Sequence, residues 1–182
     1  MSATPARRRV LLLFGGRSAE HDVSRATAVA VARALDPEKY DVVPVAITTD
    51  GRWLLADEAR AQLAGARDAL PAAFAVAGEQ VEPPSDPSRS ELVQRNSGAT
   101  FGVDVVLPLL HGPYGEDGTV QGLLELANVP YVGAGVLASS VGMDKAAMKL
   151  VFAARGLPMV DYEVLLKRDW QRDQRALMHT VV

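Results

Sequence analysis

Three short stretches of this sequence hold residue types able to do chemistry. The first is Gly15-Gly16-Arg17-Ser18-Ala19-Glu20-His21-Asp22-Val23-Ser24. Its paired glycines let the chain turn sharply, and Glu20 lands in the first turn of the helical pattern that follows. A carboxylate there either satisfies the helix dipole or holds an ammonium group. The second is His111-Gly112-Pro113-Tyr114-Gly115-Glu116-Asp117-Gly118-Thr119. It offers one histidine backed by two acids and three glycines, so His111 is either a hydrogen-bonded structural residue or a catalyst. The glycines put both acids on a turn rather than on one ligand-facing side, which disfavours a metal site. The third is Met143-Asp144-Lys145. A lysine in the first turn of a helix opposes the dipole at a cost of a few tenths of a kcal/mol. That placement becomes favourable where a phosphate sits on the helix start.

These stretches need elements to hold them. Val10-Leu11-Leu12-Leu13-Phe14 is a continuous apolar run, the pattern of a strand buried on both faces. Val23, Ala26, Thr27, Ala30, Val31, Ala34 and Leu35 then fall on one helical face, and Asp36-Pro37 stops that helix. Asp41 to Ile47 reads as a second strand, with Pro44 suggesting an edge or a bulge. Strand, helix and strand within about forty residues predict a parallel βαβ unit.

Further along, Trp53-Leu54-Leu55 reads as a short strand and the Ala-rich segment Ala59 to Ala69 as a helix. Glu79 to Ala99, with three prolines and four serines, reads as a surface loop without chemistry. Val103 to Leu110 predicts a strand ending at His111. A helix with Val120, Leu123, Leu124 and Ala127 inward follows, then a short strand over Val129 to Val132. Asp144 caps a helix carrying Met148, Val151 and Phe152, closed by Gly156 and Pro158. Met159 to Leu166 reads as a strand, and a polar helical pattern follows Lys167. Residues 169–182 read as the lead-in to another strand. All three stretches read as strand-to-helix loops, and in an open parallel sheet ligands bind outside the carboxyl ends of the strands.

Composition narrows the function classes. The chain has 182 residues, 48% of them hydrophobic and 23% charged, with a net charge of −3. That apolar fraction suits a packed core rather than disorder. With no cysteine, disulfide scaffolds, thiolate metal sites and cysteine nucleophiles are excluded. The mild acidity argues against a nucleic-acid partner. Leu126 to Met143 is uncharged over 18 residues, near the length of a membrane span, but Asn128, Pro130 and three glycines interrupt it. No targeting segment is evident, so the expected location is the cytoplasm, with no membrane partner. Adjacent glycines without a third do not make the dinucleotide fingerprint.

Taken together, the motifs resemble the D-alanine–D-alanine ligases of the ATP-grasp superfamily. The resemblance rests on LFGGRSAEHDVS (Leu13 to Ser24), LLHGPYGEDGTVQGLLEL (Leu109 to Leu126), VPYVGAGVLASSVGMDK (Val129 to Lys145) and Gly156-Leu157-Pro158, in the family's order. It departs from the family's usual residues at Asp22 and at Pro113-Tyr114.

The resemblance implies an α/β fold. A Rossmann-like parallel sheet, the pre-ATP-grasp domain over about residues 1–133, is followed by the start of an ATP-grasp domain over 134–182. It also implies an activity: ATP-dependent ligation of two D-alanines through an acyl phosphate, for peptidoglycan precursor synthesis. Glu20 then anchors the ammonium of the first D-alanine, and Val23 and His111 neighbour that substrate. Glu116 supports His111, and Lys145 binds the phosphates of ATP. The cofactors implied are ATP and Mg2+, with the magnesium ligands beyond residue 182. The implied partners are D-alanine and ATP, with a second copy of the chain as a further candidate. On this reading the 182 residues by themselves are inactive. The alternatives are a D-alanine-binding module without the ATP and magnesium site, another ATP-grasp ligase or carboxylase, and a plain Rossmann-like nucleotide binder.

Overall fold

The computed structural model describes residues 6–65, 69–175 and 178. Part of the expected Ala59–Ala69 helix and part of the expected lead-in over 169–182 lie outside them. The chain forms two compact units, Met1–Ser140 and Val141–Val182.

The first unit is built on β1 (Arg8–Gly15), whose neighbours β2 (Tyr40–Ile47) and β7 (Val105–Pro108) both run parallel to it. The continuous apolar run of β1 has the predicted cause. Leu11 and Leu13 point into one core with Val43, Val45, Val106, Val120 and Leu124. Leu12 and Phe14 point into the other, with Ala28, Val29, Ala32, Ala46 and Phe74. A strand covered on both faces has no side on which a polar residue is tolerated.

Beyond β2 the sheet turns antiparallel through β3 (Trp53–Leu55), β4 (Glu79–Glu82), β5 (Glu91–Gln94) and β6 (Thr100–Gly102). The order is β6-β5-β4-β3-β2-β1-β7, with the parallel strands β2, β1 and β7 together at one end of the sheet. This corrects the reading of 79–99 as a surface loop. Each short strand sends one apolar side chain inward: Val81 is 1% exposed and Leu92 0%. One inward residue per strand leaves almost no periodic signal among the surrounding prolines and serines. Pairing with distant β3 is what makes these segments strands.

Pro44 also differs from expectation, because β2 has neighbours on both sides. The carbonyl of Pro44 accepts from Ala56 N–H, and the β3 ladder ends one residue away, at the Val45–Leu55 pair. The missing proline N–H thus falls where the β3 ladder has run out, so β2 is locally an edge within a central strand.

Helix α1 (His21–Ala34) crosses from β1 to β2. The predicted inward face was displaced. Ser24, Ala28, Val29 and Ala32 are buried, whereas Val23, Ala26, Ala30 and Ala34 are exposed. Alanine on every side flattens the apolar contrast of this helix, so the pattern cannot choose between adjacent faces. Ser24 decides the matter. Its hydroxyl accepts from Gly15 N–H at 2.8 Å and donates to the Leu109 carbonyl at 2.6 Å.

Helix α2 (Asp57–Leu63) falls within the expected segment. Helix α3 (Thr119–Leu126) buries Val120, Gln121 and Leu124. The expected strand at Val129–Val132 is reduced to one parallel bridge, Tyr131 with Val106. A further helix, α4 (Val136–Met143), starts after the Gly133 and Gly135 turn.

In the second unit, α5 (Lys145–Ala154) is capped by Asp144, whose carboxylate accepts from Ala146 N–H and Ala147 N–H at 3.0 Å each. It ends as predicted on Gly156, at φ +67°. Gly156 N–H reaches the Ala153 carbonyl and Leu157 N–H the Phe152 carbonyl, the paired bonds of a Schellman motif. Met159 to Leu166 alternates as a strand would, but no described residue pairs with it, and backbone groups without a partner strand form no ladder. Helix α6 (Lys167–Arg172) follows.

Removing the Ser24 hydroxyl strands a buried N–H and a half-buried carbonyl at once. Ser24→Ala is expected to lower unfolding stability by about 1–3 kcal/mol. Urea unfolding of the two proteins measures it, and equal midpoints would show that water replaces the hydroxyl.

Candidate active site

The loops after β1 and β7 leave the same edge of the sheet, because those strands are parallel neighbours. Gly15 and Gly16 hold φ of +87° and +100°. A Cβ on Gly15 would stand 2.3 Å from the Ile47 carbonyl oxygen, so no side chain fits at this turn. The first loop then crosses to the second. Ser18 Oγ donates to the His111 carbonyl at 2.6 Å and accepts from Glu20 N–H at 3.1 Å. Sequence reading passed over Ser18. The only local signal was a serine two residues before a helix start, where a hydroxyl commonly binds the backbone ahead of it.

Glu20 is the N-cap of α1, yet its side chain makes no capping hydrogen bond. The acid of the first turn is Asp22, paired with Arg25 at 2.8 Å. Instead, the Glu20 carboxylate stands over the second loop, where a Cβ on Gly112 would lie 2.9 Å from its Oε2. Gly112, at φ +69°, keeps that approach open. Val23 sits one turn into α1 and is 56% exposed.

The second loop is organised by its two acids. Glu116 Oε2 accepts from Gly112 N–H at 2.8 Å, and its Oε1 lies 3.5 Å from His111 Nδ1. Asp117 accepts from Tyr114 N–H and Thr119 N–H at 2.9 and 3.0 Å. These bonds let Tyr114 hold φ +68°, a conformation rare outside glycine. Burial raises the Asp117 carboxyl, but the hydrogen bonds from Tyr114 and Thr119 outweigh it, and the group sits below the usual carboxylate range. On its other ring nitrogen, His111 Nε2 lies 3.2 Å from Thr27 Oγ1. Arg17 stacks its guanidinium 4.5 Å from the Tyr114 ring centre, bridging the loops a second time.

Beside His111 opens a cavity of about 290 Å3, lined by Arg17, Trp53, Leu110, His111 and Tyr114 among others. The structure thus brings Glu20, His111 and Glu116 to one loop cluster. Lys145 belongs to the second unit, at the first position of α5. It is exposed, and its Nζ donates to the Gly142 carbonyl at 2.9 Å. Among the described residues no three His, Cys, Asp or Glu side chains stand as a metal site would need.

A carboxyl held low in the folded state stabilises the fold at pH values above its unfolded value of 3.8, and that contribution is lost as pH falls through the folded value. Asp117 therefore adds to acid lability below about pH 4. Asp117→Asn is expected to flatten the loss of stability between pH 4 and pH 2, read from thermal melts across that range. An unchanged profile would remove Asp117 from the acid response.

A family model, D-ala D-ala ligase N-terminus, matches residues 9–134. Against the D-alanine–D-alanine ligase of Streptomyces avermitilis the chain is 49% identical over 185 residues, covering 98% of this chain and 48% of that protein. Against that of Mycobacterium leprae it is 54% identical over 165 residues, covering 86% and 43%. Among solved structures, the Coxiella burnetii D-alanine–D-alanine ligase matches with a TM-score of 0.79 at 33% identity, over 96% of this chain and 48% of that one. The VanG D-Ala:D-Ser ligase of Enterococcus faecalis matches with a TM-score of 0.75 at 29% identity, over 97% and 49%. The chain spans about half the length of these relatives. With the family model matching more than half of its residues, the chain belongs to the D-alanine–D-alanine ligase family, of which it carries the N-terminal part.

Proposed function

We propose that this chain supplies the amino-acid-binding side of an ATP-dependent ligase that joins two D-alanines for peptidoglycan precursor synthesis. The observation that carries the reading is the freedom of the Glu20 carboxylate. It stands at a helix start without capping the helix, directed over Gly112. A carboxylate so placed is ready for an ammonium group, and the αL glycine beneath it leaves room for one. The helix start itself disfavours a cation in the general field of its N–H groups. The ammonium must therefore be held by the carboxylate directly, through a charge-assisted hydrogen bond.

The residues around Glu20 divide the work. Ser18 ties the Glu20 backbone to that of His111, which fixes their separation before substrate arrives. Preorganisation of this kind avoids ordering the loops at the moment of reaction. His111 presents a half-buried ring beside the ammonium site, with Glu116 facing it from the far side. Val23, exposed on the next turn of α1, offers an apolar surface to the small side chain of D-alanine.

When bound, ATP supplies the phosphoryl group that activates a carboxylate for attack by the second amine. Toward that group the chain offers Lys145. Asp144 already accepts the Ala146 and Ala147 N–H groups of α5, so this helix start has fewer free donors than a bare one, and the Lys145 ammonium is the main attraction for a phosphate. Magnesium has no cluster of ligands among the described residues. No described helix is long and apolar enough to cross a membrane.

In a full-length ligase carrying this segment, Glu20→Gln exchanges a charge-assisted bond for a neutral one. The expected result is an unchanged melt and a fall in D-alanine-dependent phosphate release of about 10- to 100-fold. A lower melt with normal turnover would return Glu20 to a purely structural role. Lys145→Ala in the same protein is expected to raise the KM for ATP well above any change in that for D-alanine, and equal shifts would remove the phosphate role.

A further inference from the structure

Two groups from different elements face the His111 ring, and they differ in what they can do with a proton. Glu116 reaches Nδ1 from the loop, at 3.5 Å. Its position is set by the bond that its other oxygen accepts from Gly112 N–H. An ionised carboxylate only accepts hydrogen bonds, so it favours a proton on Nδ1. Thr27 reaches Nε2 from α1, at 3.2 Å. Its hydroxyl can donate or accept, and its Oγ1 also lies 2.9 Å from the Val23 carbonyl oxygen, one helical turn back. The hydroxyl has one proton and two acceptors within reach. With Nδ1 protonated toward Glu116, the neutral ring leaves a lone pair on Nε2, and the Thr27 hydroxyl is the group that faces it.

We propose that Thr27 is a positioning residue for His111: together with Glu116 it fixes the ring in the tautomer that carries its proton on Nδ1, with Nε2 as the accepting nitrogen. The assignment deepens the ligase reading, on which it rests for the identity of the substrate. It says that His111 meets a ligand as an acceptor of an N–H or O–H, as an ammonium would provide, and not as a donor to a carboxylate. It also explains how Nε2 can be held and still be available. When a ligand N–H takes Nε2, the hydroxyl can turn to the Val23 carbonyl without leaving its own proton unpaired. Which nitrogen of a histidine is protonated is set by the hydrogen bond the other makes. Here that logic runs through Thr27 on α1 and Glu116 on the second loop, which meet at His111 only because α1 packs beside that loop.

The test is independent of turnover. Two-bond proton–nitrogen correlation spectra of the 182-residue chain, labelled in its histidine rings and recorded at neutral pH without ligand, report which nitrogen carries the proton. Comparison with His111→Gln assigns the ring among the three histidines of the chain. The expected pattern is protonated Nδ1 and unprotonated Nε2. In Thr27→Val, which keeps the β-branched shape and removes the hydroxyl, that pattern should give way to a mixture of tautomers, and in Thr27→Ser it should return. Backbone amide spectra of the variants verify that each is folded, and Thr27→Ala serves if the valine is not. A protonated Nε2 in the unmutated chain, or a Thr27→Val spectrum identical to it, overturns the proposal. Since no substrate is present, failure here leaves the Glu20 reading intact, and failure of the Glu20 test leaves the tautomer assignment intact.

Discussion

One hydroxyl, that of Ser24, holds the working edge of this molecule in register. It is fully buried and bonds the last N–H of β1 and the Leu109 carbonyl beyond β7. Both strands end there, and both give rise to the loops that carry Glu20 and His111. Two backbone groups at the ends of parallel strands, one buried and one half-buried, have no ladder partner of their own, and leaving them unpaired costs more than the bond contributes when made. The requirement fixes which face α1 turns inward. That choice in turn places Val23 in solvent and Thr27 beside His111.

The second loop answers the same constraint differently. It is too irregular to satisfy its backbone through secondary structure, so its acids do so. Glu116 takes Gly112 N–H, and Asp117 takes those of Tyr114 and Thr119. The two carboxylates of this glycine-rich turn thus act as internal struts. Glu116 serves twice, since its second oxygen faces His111. Glu20 shows the contrast. At a position where a carboxylate could cap a helix it does not, and Asp22 supplies the acid of the first turn instead. An acid relieved of a structural duty is free for a ligand, and that difference separates Glu20 from its neighbours better than its exposure does.

The second unit follows local rules more closely. Asp144 caps α5 and Gly156 closes it, and both were legible from residue types alone. Its apolar side chains, among them Leu150, Val160 and Leu166, are exposed. The segment from Met159 to Leu166 has the alternation of a strand without a described partner. Alternation states which faces a strand would have, whereas the strand itself exists only when another backbone meets it.

By itself the sequence determined the parts governed by short-range chemistry. The apolar run of β1, the glycine turns, the caps of α5 and the order of the chemical motifs were all readable, because each depends on the residue and its immediate neighbours. The same ground made Glu20, His111 and Lys145 candidates, whereas their roles and that of Glu116 came from the family resemblance of the motifs. Tertiary structure alone decided the rest. It extended the sheet through Val81 and Leu92, each a lone inward residue on a short strand. It turned α1 by about one residue from the face that its alanines left undecided. It also recruited Ser18 and Thr27, whose partners lie 93 and 84 positions away. A hydroxyl has no preference legible in sequence for what it bonds, because the partner is chosen by whichever buried group the fold brings within 3 Å or so of it.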